Sequence, residues 1–164
     1  MSVNKNQRHV LVLPEDRANL QMADGFHREV PWQRQRQMQV LPVAGGWNEV
    51  LSRFGSVHAM EMERCQDRFM VLLIDFDGKQ DRLTEAKAKI PAHLAERVFI
   101  LGALSTPEAL KKANLGSYDE IGRALAKDCR EGSETIWGHE LLQHNKPELE
   151  RMLHHLRPIL FPSN

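Results

Sequence analysis

Four short apolar runs interrupt an otherwise polar chain: residues 9–13, 38–43, 69–74 and 97–102. A short apolar run closed by a turn signal reads as a buried strand, and one without polar alternation favours a parallel sheet covered on both faces. Pro42 places the second run at a strand end or a sheet edge. Helical spacing fills the intervals. Residues 16–26 carry a weak apolar face around Leu20, and Asp24-Gly25 obscures where that helix stops. Val50, Leu51 and Phe54 share one side of a helix opening at Trp47, which continues through 57–65. Residues 79–97 are helix-forming around Leu83, Ala86, Ile90 and Leu94, with a break at Pro91. Pro107 suits a first helical position after Ser105 or Thr106, and Ser117 with Glu120 forms a capping box. Residues 129–133 read as loop. A last helical region over 137–156 is interrupted near 145–147 and carries the stripe Leu149, Met152, Leu153 and Leu156.

The order is therefore βαβαβαβ followed by helices. It predicts an α/β fold: a Rossmann-like, mostly parallel sheet of about four strands flanked by helices, with a helical C-terminal extension. The expected organisation is one domain over 1–164, with an α/β core at 9–112 and the extension at 117–161 packed on it. The 164 residues hold 41% apolar and 27% charged residues with zero net charge, an ordinary globular balance that removes any global nucleic-acid footprint but allows a local one. Residues 32–39, rich in Gln and Arg, read as a connector or as such a basic surface. Cys65 and Cys129 form no paired motif, no apolar stretch reaches the length of a membrane span, and the polar start lacks a signal-peptide pattern. A reducing cytoplasm is the expected location, with no membrane partner.

The candidate chemistry lies where the third run ends, at Leu73-Ile74-Asp75-Phe76-Asp77-Gly78. Ligands of open α/β sheets bind beyond the carboxyl ends of strands. Asp75 and Asp77, two apart, are expected on one side, where like charges need a cation or a donor. Asp and Gly are also ordinary turn residues. Glu15 ends the first strand and Glu108 follows the fourth, so parallel strands would bring four acids to one rim. Hard cations such as Mg²⁺ or Mn²⁺ prefer that oxygen environment. Glu108 has a structural explanation as well, at a helix N-terminus. Trp137 to His144 offers two histidines five apart, which a regular helix holds apart; a packed Trp with surface polar groups is preferred there.

Leu11-Val12-Leu13-Pro14-Glu15, Val40-Leu41-Pro42-Val43-Ala44-Gly45-Gly46-Trp47-Asn48 and Leu73-Ile74-Asp75-Phe76-Asp77-Gly78 together resemble the Toprim domain of topoisomerases, primases and OLD-family nucleases, over about residues 9–112. The family's glutamate is usually followed by Gly, where this chain has Asp16. The resemblance implies metal-dependent phosphodiester hydrolysis on nucleic acid. Asp75 and Asp77 would ligate Mg²⁺ or Mn²⁺, Glu15 would ligate metal or act as general acid/base, and Glu108 would be a further acidic ligand. Lys79 and Arg82 would touch substrate phosphates, unless they only form a solvated face. It also implies a larger defence or repair complex, with a partner such as an ATPase or nucleic-acid enzyme. The rival reading is a non-catalytic protein of the same fold that binds a partner protein through its helical C-terminal half. A phosphate-accepting receiver is disfavoured, because no Lys ends a later strand.

Overall fold

The computed structural model describes residues 2–79 and 81–163. Four strands, β1 (His9–Pro14), β2 (Met38–Val40), β3 (Arg68–Leu73) and β4 (Val98–Leu101), form one sheet in the order β2-β1-β3-β4. Every pairing is parallel, from Val10 opposite Met38 to Leu73 opposite Leu101. The helices are α1 (Arg17–Arg28), α2 (Trp47–Arg53), α3 (Ala59–Arg64), α4 (Asp81–Ala88), α5 (Pro107–Lys112), α6 (Tyr118–Glu131) and α7 (Lys146–Leu160). This is a parallel α/β sheet of generic Rossmann-like architecture with helices at its C-terminal end.

Strand alternation divides the core. Val10, Val12, Phe69, Val71, Phe99 and Leu101 face α1, α6 and α7. Leu11, Leu13, Met70, Leu72, Val98 and Ile100 face the layer built from Val50, Phe54, Met62, Ala86 and Leu94. The continuous apolar character of β1 and β3 follows from this burial on both sides. An apolar cavity of about 90 Å³ lies on the first face, among Val12, Met22, Leu125, Met152 and Leu156.

The free edge of β4 is covered by side chains. Ile100 N–H donates to Glu148 Oε2 (3.0 Å), Gly102 N–H donates to Asn145 Oδ1 (3.1 Å), and Arg151 donates to Val98 O (3.0 Å). All three partners lie in or next to the first turns of α7, which thereby closes an edge otherwise open to strand addition.

Several elements depart from sequence expectation. Residues 32–37 form a 3₁₀ helix rather than a loop, and α6 runs through Cys129 to end at Gly132 in a left-handed cap (φ 71°). The helix expected from Trp47 through 57–65 is continuous over 47–64, and its departure is a π turn at Phe54–His58. Gly25 does not stop α1. A Cβ there would lie 2.2 Å from Asp119 O, and one on Gly122 of α6 would lie 1.9 Å from Met22 O. Each helix thus contributes a glycine that lets the two backbones touch.

Replacing Gly122 with Ala is expected to destabilise the fold by about 2 kcal/mol or more, because backbone overlap outweighs the ~1 kcal/mol that Ala gains over Gly in a helix. Gly55→Ala, where nothing lies within 4 Å of the added Cβ, should be neutral or stabilising. Urea denaturation of both variants checks the contrast.

Candidate functional site

Parallel strands bring the carboxyl ends of β1, β3 and β4 to one rim. The β1–β3 ladder runs past β1, with Glu15 N–H donating to Leu73 O (2.9 Å). The Glu15 side chain then turns across the gap, and its Oε2 accepts from the Asp75 backbone N–H at 2.6 Å. Asp16 caps α1 by accepting from Asn19 N–H (2.9 Å), and buried Asn19 donates from Nδ2 to Asp75 Oδ1 (3.1 Å). Beyond Asp75 the chain is stitched to the β4–α5 loop: Phe76, Asp77 and Gly78 N–H donate to the carbonyls of Ala103 (3.1 Å), Ser105 (3.0 Å) and Leu104 (2.7 Å). Gly102 permits this approach, since a Cβ there would fall 1.6 Å from Ile74 O.

The two aspartates do not share a side. β3 ends at Leu73, so neither is held by strand alternation, and Asp77 has a left-handed backbone (φ 50°). Asp75 is 7% exposed and turned toward α1. Asp77 is outside, where its Oδ2 accepts from Arg82 (2.8 Å). The same guanidinium nitrogen donates to Asp75 O (2.7 Å), and the guanidinium lies over the Trp47 ring at 4.5 Å. Arg82 is buried and its hydrogen bonds go to the protein, whereas Lys79 is exposed.

Burial is the largest influence on the Asp75 carboxyl and pushes its pKa up to about 7; the Asn19 amide opposes the shift, and the nearby Asp16 and Glu15 charges, with a side-chain hydrogen bond to Asp16, add to it. Near neutrality Asp75 therefore exchanges a proton, with Asp16 able to accept a hydrogen bond from the protonated form. Burial also raises Glu15, opposed by the Asp75 amide. Glu108 is exposed in the first turn of α5. Burial first, then the charges of Glu108, Asp16 and Asp75, raise the Tyr118 phenol, which places Tyr118 in the electrostatic field of the rim.

The four sequence candidates Glu15, Asp75, Asp77 and Glu108 thus lie toward one end of the sheet, but they do not converge. Among the described residues no three His, Cys, Asp or Glu side chains group as a metal ion would require. Glu15 is directed at a backbone amide, Asp75 at Asn19, and Asp77 at a guanidinium, so this donor arrangement does not fit a hard divalent cation. In the C-terminal region His139 Nδ1 accepts from Leu141 N–H (3.1 Å), while the His144 ring packs edge-on against Phe76 at 5.1 Å, its pKa lowered by burial. They form no zinc pair.

Sequence reasoning missed Asp16, Asn19, Trp47 and Tyr118. The first two had a local signal, an Asp followed three residues later by Asn at a helix start; the others join the rim only through tertiary packing. The class defined by fold and rim is a parallel α/β protein with acids at its strand ends, of which Asp75 is buried and Glu15, Asp75 and Asp77 are bonded to the protein itself. Comparison with protein-family models, curated proteins and solved structures finds no match to this chain.

The Asp75 shift fixes a pH dependence. Its ordinary value is 3.8 and its folded value about 7, so between these the folded chain holds a proton that the unfolded chain has released. Stability therefore falls as pH rises across that window and levels off above it. Raised Glu15 adds a fall of the same sign, whereas Asp128 and Glu148, held below their ordinary values of 3.8 and 4.5, lose stability only at lower pH. Asp75→Asn, which keeps an acceptor for Asn19 and adds a donor toward Asp16, should raise the thermal midpoint at about pH 8 and flatten the slope between about pH 4 and 7. Thermal melts across pH read both effects.

Proposed function

We propose that this chain is a non-catalytic α/β protein, Toprim-like in its motif order, that binds a partner protein through its helical C-terminal half. The observation that carries this reading is the internal use of the rim acids: Glu15 accepts a backbone amide, Asp75 an Asn19 amide, and Asp77 the Arg82 guanidinium. A hydrolytic centre needs oxygens aimed at a cation or a substrate, and these are aimed at the protein. The outer surfaces of α6 and α7 are exposed and charged, including Lys127, Arg130, His154 and Arg157. They suit a partner with an acidic face, such as an ATPase or a nucleic-acid enzyme. Cys65 and Cys129 are free thiols, in keeping with a cytoplasmic setting. Among the described residues no helix is long and apolar enough to cross a membrane.

The second reading is Mg²⁺- or Mn²⁺-dependent hydrolysis of nucleic-acid phosphodiesters. Its support is the shared location of Glu15, Asp16 and Asp75 with an Asp75 proton that is labile near pH 7. One experiment separates the two: calorimetric titration with Mg²⁺ and Mn²⁺, with a nuclease assay on single- and double-stranded DNA and RNA, comparing the native chain with the Asp75→Asn, Asp77→Asn variant. The interaction reading expects no saturable uptake and no metal-dependent cleavage from either protein. Saturable uptake and cleavage that both disappear in the variant would establish hydrolysis instead. In a reconstituted complex, Asp75→Asn should leave assembly unchanged, while Lys127→Glu with Arg130→Glu should weaken it.

A further inference from the structure

The end of the sheet opposite the acidic rim carries a different chemistry. The 3₁₀ helix Trp32–Gln37 leads into β2, and Trp32 is 81% exposed, against 57% for Met60, the next most exposed of the large apolar residues described. A wholly solvated indole on a mobile loop would mean little, but this helix is held from below. Gln35 Nε2 donates to His27 O (2.9 Å) and to Val30 O, and Gln37 Nε2 donates to Arg8 O (3.2 Å). From the N-terminal segment, Asn4 N–H donates to Arg36 O (2.8 Å). Trp32 therefore projects from a fixed base.

The cations beside it lack carboxylate partners. Lys5, Arg8, Arg34 and Arg36 take part in none of the ion pairs among the described residues. Half-buried Arg34 meets the neutral Gln37 side chain, Arg36 the Ser2 carbonyl, and the Arg8 guanidinium lies over the Phe69 ring at 5.0 Å. The bonds from Asn4 to Arg36 and from Gln37 to Arg8 bring the segments bearing all four cations together. Along the 3₁₀ axis, at about 2 Å per residue, Trp32 and Arg36 are ~8 Å apart. At about three residues per turn, Trp32, Arg34 and Arg36 point in three directions around that axis, so a strand reaching all of them bends around the helix.

We infer that Trp32, Arg34 and Arg36, with Lys5 and Arg8 beside them, form a basic knob around which single-stranded nucleic acid binds. The indole stacks on an unpaired base and the guanidinium and ammonium groups meet neighbouring phosphates. Stacking on an aromatic platform within a cationic surface is how proteins hold single strands without reading sequence. A duplex keeps its base faces covered, and an acidic peptide would use the cations but leave the indole idle. The knob lies at the amino-terminal edge of the sheet, so its function is independent of whether the acidic rim binds metal or a partner occupies α6 and α7.

The test is fluorescence anisotropy with labelled oligo-dT and oligo-U, between about 50 and 200 mM salt, where phosphate contacts weaken steeply. Both strands should bind saturably at the lower salt. Trp32→Ala should weaken binding about 5- to 100-fold and Trp32→Phe should restore most of it. Because the indole is in water, Trp32→Ala should keep the native circular dichroism. Arg34→Ala with Arg36→Ala should flatten the slope of log affinity against log salt by about 1.4, from ~0.7 per phosphate contact. Lys112→Ala, on exposed α5, should change neither. The inference is overturned if no saturable binding occurs at low salt, if Trp32→Ala binds as tightly as the native chain, or if polyglutamate competes as well as the oligonucleotides.

Discussion

Burial of β1 and β3 on both faces governs much of the rest. Where those strands end, the chain is still inside the protein, and its amides have no water to bond. An acceptor must come from a neighbouring element, and here carboxylates repeatedly supply it. Glu15 takes the Asp75 amide, Glu148 the Ile100 amide on the open edge of β4, and Asp128 the amides of Ile136 and Trp137. A charged acceptor makes a shorter and stronger bond than a neutral one, which favours acids where one side chain must fix the path of a distant segment. The cost is desolvation of the acid, offset at Glu148 by Lys87 and Arg151 and at Asp128 by several donors, so both stay below their ordinary pKa values despite burial. Asp75 has one neutral amide and two acidic neighbours, and burial raises it.

The same constraint changes the meaning of an Asp-x-Asp pair after an apolar strand. Such a pair is a metal candidate while the strand is imagined to continue with its side chains alternating. Here Ile74 N–H is bonded to Leu101 O, and the next amides pass to Glu15 and then to the β4–α5 loop. The segment leaves strand geometry before the second acid, and a left-handed turn at Asp77 sends that acid outward to Arg82. Arg82 does more than neutralise: with a backbone carbonyl on one side and the Trp47 face on the other, it holds the turn against α2.

The strands were legible because burial on both faces leaves a continuous apolar run, and all four runs overlap observed strands. The Ser117 cap was legible too, as a local bond to Glu120 N–H at 3.2 Å. Boundaries set by contact were not. Gly25 reads as a breaker in isolation, and only the backbone of α6 against it explains why α1 continues to Arg28. Residues 129–133 read as loop because Cys129 and Arg130 carry no periodic signal of their own, yet Cys129 is buried in the layer with Ile121 and Leu125 and extends α6. At the rim, sequence located Glu15, Asp75, Asp77 and Glu108 at the correct end of a parallel sheet. It could not give the direction of each carboxylate, which depends on Asn19, Arg82 and the backbone path.

Zero net charge conceals the division between the two ends of the sheet. In a parallel sheet all carboxyl ends coincide and all amino ends coincide, so charges placed just after strands and just before them accumulate at opposite edges. Glu15, Asp16, Asp75 and Asp77 follow strands, and Lys5, Arg8, Arg34 and Arg36 precede β1 and β2. Asp67 and Glu96 precede β3 and β4, so the basic character belongs to the β1–β2 half of the amino edge. The two groups differ in how much of their bonding is already used. Glu15 and Asp75 are turned inward to amides and Asp77, on the outside, is paired with the Arg82 guanidinium, so their electrostatic reach outside is correspondingly small. Among the described residues the cations have no carboxylate partner, and Lys5 and Arg36 face water, where their charge acts over about a Debye length on an approaching polyanion. Attention drawn by sequence to the acidic end is thus balanced by physical availability at the basic one: an acid already bonded to its own backbone stabilises a fold, whereas an unpaired arginine beside an exposed indole is available to a ligand.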